Sequence, residues 1–252
     1  MKNFGFYVLL PVSLLVLPFV FHAAFDGAEF YFGKESGAVE NITVILLAVA
    51  LIVTLRPLLR LNSNSNTLQF KKFTAVWLIL HSLGCIYFLG EEISWGQHLF
   101  NWSTPEAWNE VNDQSETNLH NTSALFDQVP RTLLTLGIIV GGFFLPIITR
   151  FRTSGQANDL NSASVSPAGQ SAFLSQYLPG IRCVPAALCV LLISLHEKFY
   201  DLFNITAPAI LQIDDGEVKE SLIAMFILVY IVDFCHRDFD RSRQTDDVPA
   251  SA

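Results

Sequence analysis

The sequence predicts an all-α fold: a polytopic membrane helix bundle of about six transmembrane helices, both termini cytoplasmic, with a structured outer loop of short interfacial helices. Three observations carry this. Of 252 residues, 51% are hydrophobic and only 15% charged, whereas soluble proteins average roughly 25% charged. The apolar residues fall into six blocks, at 5–24, 41–60, 73–92, 131–149, 180–197 and 218–235. Each approaches the ~20 residues a helix needs to cross ~30 Å of hydrocarbon. Basic residues, finally, favour one set of alternate loops. Helices are expected because a lipid-exposed backbone must satisfy its own hydrogen bonds, and no alternating barrel strands are visible.

With the N-terminus inside, Lys2, Arg56, Arg60, Lys71, Lys72, Arg150, Arg152, Arg182, Arg237, Arg241 and Arg243 face the cytoplasm. Lys34, Arg131, Lys198 and Lys219 fall outside. That is 11 against 4 in short loops, the setting in which the positive-inside rule applies. Of the 23 acids, 17 lie outside. The net charge of −8 marks no nucleic-acid surface, and the expected partner is the lipid bilayer.

Taken in order, the first block follows Lys2 and contains Pro11 and Pro18. Its length and the weak cleavage sequence His22-Ala23-Ala24-Phe25 favour a retained helix over a signal peptide. Residues 61–67 form a polar turn, and 153–177 have the composition of a flexible linker. Residues 1–237 make one transmembrane bundle, and 238–252 a disordered cytoplasmic tail. The outer motif loop spans 93–130. Within it Thr104-Pro105-Glu106 reads as a helix start, with a capping hydroxyl, proline at the first helical position and an acid in the first turn. A second short helix is expected from Ser115 to Leu125. Trp95, Trp102 and Trp108 suit a segment at the headgroup level. Cys85, Cys183, Cys189 and Cys235 read as small buried apolar residues. No motif of the first three helices is echoed in the last three.

Chemistry concentrates in two outer segments, GEEISWGQHLF (Gly90 to Phe100) and NDQSETNLHN (Asn112 to Asn121). Glu91 and Glu92 sit where the third helix leaves the membrane, and adjacent carboxyls there need pairing, a proton or a cation. A continuing helix would put Glu91, Trp95 and His98 on one face, and Glu92 on the face of Cys85 and His81. Glu116 and His120 would be an i, i+4 pair suited to proton transfer or metal ligation. Glu91, Glu92, Glu116 and His120 are therefore the catalytic candidates. Trp95, Gln97, Asn112, Gln114, Asn118, Asn121 and Glu220 are the binding candidates. His98, His120, His196 and Glu116 could hold a divalent metal ion of the Zn²⁺, Mn²⁺ or Fe²⁺ kind, the one cofactor the sequence suggests. No H-E-x-x-H, G-x-S-x-G or phosphate-loop signature occurs.

The string FLGEEISWGQHLF, then TPE, then N-x-Q-x-E-T-N-L-H-N resembles a family of bacterial polytopic membrane proteins with no assigned activity. The resemblance covers residues 88–122 and implies the motif positions just named, together with Ser94, and an inner-membrane setting. A fainter likeness to membrane hydrolases such as the alkaline ceramidases rests on His81 standing eleven residues before Glu92. Those proteins have seven helices and paired late histidines; here there are six blocks and His196 alone.

Three functional classes stay open. One is a membrane-embedded hydrolase or transferase acting on a lipid or lipid-linked substrate at the outer leaflet. Another is a proton- or cation-coupled transporter using Glu92, Glu220 and His81. The third is a non-catalytic scaffold or assembly factor. The oligomeric state is left open.

Overall fold

A computed structural model describes residues 3–25, 37–60, 68–112, 115–119, 122–158, 176–208 and 211–246. Among these there are helices and connections but no strand. We label the long helices α1 (Gly5–Ala24), α2 (Ala38–Arg60), α3 (Leu68–Glu92), α4 (residues 124–158), α5 (Ile181–Phe203) and α6 (Asp215–Asp246). Two single turns, Gln97–Phe100 and Glu106–Asn109, lie between α3 and α4. Five helices are long and apolar enough to cross a membrane: α1, α2, α3, the Leu125–Arg152 stretch of α4, and α5. The chain is thus a multi-pass membrane protein.

The bundle is organised around α6, which packs on α2, α5 and α1. Leu222, Ile223, Met225, Val229, Ile231 and Phe234 are all fully buried. A helix that is apolar on every side belongs inside a bundle. The surrounding helices keep an apolar outer surface instead, with Leu80, Leu83, Leu133 and Leu195 exposed, as lipid-facing positions should be.

Ionic ties of Lys219, Glu220 and Asp233 fasten α6. Lys219 pairs with Glu197 of α5, and Glu220 with Arg131 of α4. Near the other end Asp233, only 2% exposed, lies 3.0 Å from Arg237 and 3.6 Å from Arg182 at the start of α5. An aromatic and hydroxyl network reinforces that end. Trp77 donates to the Tyr230 hydroxyl at 2.6 Å, Tyr230 donates to the Tyr177 carbonyl at 2.7 Å, and Thr74 and Tyr177 share a 2.8 Å bond.

Mid-way along α4 the residues Ile138–Phe144 form a π-helical stretch, a local widening that shifts the register of one turn. It lies beside α5 and presents Gly142 where three helices meet. A Cβ at Gly142 would run into the Phe226 ring of α6 and approach Ala187 of α5 to 3.2 Å. Small residues at such crossings let backbones come close. Replacing Gly142 with Leu should lower stability by about 1–3 kcal/mol, the usual cost of overpacking. Thermal unfolding in detergent checks this, and an unchanged midpoint would contradict the packing described.

Candidate functional site

The motif segments come together at one end of the bundle. Helix α3 stops at Glu92, and Ser94, Trp95 and Gly96 then adopt positive φ values of 46°, 53° and 97°. Two consecutive L-residues in the left-handed region are unfavourable and persist only where surroundings hold them. Trp95 folds back over α3 and donates to Glu91 Oε1 at 2.7 Å. Gly90 makes that possible, since a Cβ there would lie 2.9 Å from the indole.

The returning loop locks onto this turn. Glu91 Oε2 accepts from the Leu119 amide at 2.7 Å. Ser94 Oγ donates to Glu116 Oε2 at 2.8 Å, and Asn118 Nδ2 donates to the same oxygen at 2.6 Å. Asn112 donates to the Asn118 carbonyl and side-chain oxygens at 3.1 and 3.0 Å, and accepts from the Glu116 amide at 3.1 Å. Gln97 accepts from the Thr117 amide and hydroxyl at 2.7 and 2.9 Å. It also donates to Thr104 Oγ1 at 2.9 Å. Every described motif residue except Glu92 thus joins one hydrogen-bonded knot.

Two local expectations give way here. Thr104 donates its hydroxyl to the Ser115 carbonyl, making no cap bond to the turn at Glu106–Asn109. Residues 115–119 are irregular, and the next helix begins at Ala124. Glu116 is therefore placed by Ser94 and Asn118, with no helical i, i+4 spacing to offer. His120, Gln114 and Asn121 lie outside the described residues, as does the His98 side chain.

Glu92 points elsewhere. With His81, Glu91, Asp127, Arg131 and Glu220 it lines a cavity of about 350 Å³ between α3, α4 and α6. The α3 residues on its wall run from Leu80 to Glu92, about 18 Å at 1.5 Å per residue. Phe88, Phe126, Leu134, Ile223 and Ile227 make the rest apolar. Arg131 pairs with Asp127 at 2.5 Å and with Glu220 across the cavity wall. Glu92, 9% exposed, has no hydrogen bond or ion pair among the described residues, and His81 Nε2 is likewise buried without a partner.

Arg131 and Asp127 were not singled out from the sequence. The available signal was the position of Arg131, a lone arginine beside Pro130 at the boundary of an apolar block, which calls for an acid nearby. His196 sits apart from the knot, its Nδ1 3.0 Å from Asp215 Oδ1, with Phe19 and Tyr200 rings against it. Among the described residues no group of three or more His, Cys, Asp or Glu could hold a metal ion.

At the N-terminal end of α6, Asp214 accepts from the Glu217 amide at 3.2 Å, as a helix cap does. Burial holds the Asp215 carboxyl above its ordinary range, with His196 opposing. Glu217 is pushed up to about 8, by burial first and then by Glu220, Asp214 and Glu40, against Arg131.

These features define a multi-pass helical membrane protein with a hydrogen-bonded loop between α3 and α4 beside an acid-lined cavity. No family model, no curated protein and no solved structure matches the chain.

Two outcomes follow. Asn118→Ala should speed amide exchange across residues 112–119 and lower stability by about 1–3 kcal/mol, the cost of stranding buried partners. Exchange at wild-type rates would dissolve the knot as described. For Glu217 the folded value of about 8 exceeds its ordinary 4.5, so the folded chain binds the extra proton between these limits and its stability falls as pH rises through that window. Glu217→Gln should flatten the dependence of the unfolding midpoint on pH across that window. An identical slope in both proteins would contradict the assignment.

Proposed function

We propose that the cavity between α3, α4 and α6 receives a lipid or lipid-linked substrate from the outer leaflet, and that the protein acts on its polar end as a membrane-embedded hydrolase or transferase. In this reading α6 is the sixth membrane helix, both termini are cytoplasmic, and the setting is a bacterial inner membrane. The charge bias of the loops supports that orientation. Arg182 and Arg237, gathered beside Asp233, lie at the end of the bundle that this orientation puts inside.

One observation carries the functional reading. Glu92 is a carboxyl nine-tenths buried at the mouth of a long apolar cavity, with no partner among the described residues. A carboxyl in that position needs a proton or a cation, and a group that alternates between the two is suited to general acid–base work. The shape fits an amphiphile, with a polar rim at Glu92, Arg131 and Glu220 and an apolar body running inward along α3. Glu116 has a supporting role, since its carboxylate is bound by Ser94 and Asn118.

Transport is the second reading, favoured by a specific arrangement: His81, Glu92 and Glu220 share the wall of this one cavity. It would make them a proton path, with His81 about 16 Å deeper than Glu92 along the helix.

Lipid and lipid-linked pools compared between a deletion strain and the same strain carrying wild-type or Glu92→Gln protein test the enzyme reading. Loss of an acid–base group should cost roughly 10²–10⁴-fold in turnover, so the variant should match the deletion strain. Pools restored to wild-type levels by the variant would sink it. Proton flux in proteoliposomes that depends on Glu92, with unchanged lipid pools, would favour transport.

A further inference from the structure

The cavity wall is unbalanced in charge. Glu91, Glu92, Asp127 and Glu220 line it, with Arg131 its one cation among the described residues. Arg131 is held by Asp127 and Glu220. Glu91 is held by the Trp95 indole and the Leu119 amide. Lys219, adjacent to Glu220 on α6, turns away to Glu197. Glu92 is thus left facing the cavity with carboxylates around it. Glu220, Glu217 and Glu40 all act on it electrostatically, and Arg131 alone opposes them.

That pattern selects among amphiphiles. An anionic head group would add repulsion to a site already rich in carboxylates. A neutral head group leaves Glu92 dependent on its own proton and gains no charge-assisted bond there. A cationic head group supplies the missing charge, and its N–H groups make charge-assisted bonds to a carboxylate that has both oxygens available. Below the rim the walls are Leu80, Phe88, Leu134, Ile223 and Ile227, which suit an alkyl chain.

We infer that the ligand of this cavity is an amphiphile whose polar end carries an ammonium group, seated against Glu92, with its chain extending along α3 toward His81. The inference rests on the reading of the cavity as an amphiphile site and adds the charge of the head group. It also assigns a division of labour: Glu220 and Asp127 fix Arg131 as part of the wall, and Glu92 alone meets the ligand's charge.

The test is binding of three probes of equal chain length, dodecylammonium, dodecanol and dodecyl sulfate, to the purified full chain by native mass spectrometry. Dodecylammonium should half-saturate at a concentration at least about tenfold below that of dodecanol, the effect of one hydrogen bond to a charged group, and dodecyl sulfate should bind more weakly than either. Glu92→Gln should bring dodecylammonium to the dodecanol value. Dodecanol should still saturate the variant, which reports that its cavity is kept. Leu134→Trp, which fills the apolar body, should weaken all three. Equal affinity of dodecanol and dodecylammonium for the wild-type chain would overturn the head-group assignment and leave the amphiphile site standing. So would a preference for ammonium that persists in Glu92→Gln. If Leu134→Trp changes none of the three, the probes bind elsewhere, and both the site and its selectivity are overturned.

Discussion

The structure depends on neutralising the ionisable groups of its central helix. Lys219, Glu220 and Asp233 are largely withdrawn from solvent, and α6 is buried among its neighbours. Each of the three therefore meets a partner on another helix or, for Arg237, one turn along α6 itself. Breaking a buried pair by removing one member typically costs about 3–5 kcal/mol, more than propensity or single apolar contacts supply. These pairs set which helices stand beside α6. The Glu220–Arg131 tie in particular brings α4 to the position from which Phe126 and Leu134 wall the cavity.

The loop between α3 and α4 obeys the same rule by different means. Two acids of the motif, Glu91 and Glu116, accept from an indole, a backbone amide, a hydroxyl and a carboxamide. Those bonds hold Ser94 and Trp95 in the left-handed turn that ends α3 beside the cavity mouth. A motif dense in Glu, Asn and Gln thus does mainly positioning work. Glu92, one residue from Glu91 and turned to another face of the helix, is left to face the cavity.

Much of the fold was legible in the sequence because lipid crossing demands long apolar blocks. Five of them correspond to helices of spanning length, and the block at 218–235 forms the buried heart of α6. The density of polar groups in two nearby segments was legible too. Their arrangement was not. Helical periodicity carried past Glu92 cannot foresee a left-handed turn at Ser94, and the capping rule at Thr104 loses to a carbonyl eleven residues away. The expected helix from Ser115 fails for a related reason, since the Glu116 amide is committed to Asn112 and the Thr117 amide to Gln97. Arg131 escaped notice because its partner Glu220 lies 89 positions on, beyond any local pattern.

The ionic tie between α4 and α6 is tested most directly by exchanging its charges. Arg131→Glu and Glu220→Arg should each lower the unfolding midpoint in detergent, and the double exchange should recover most of that loss, giving a coupling on the scale of about 0.5–3 kcal/mol seen for interacting neighbours. Losses that simply add in the double variant would contradict a direct tie between these side chains, and with it the placement of α4 against the cavity.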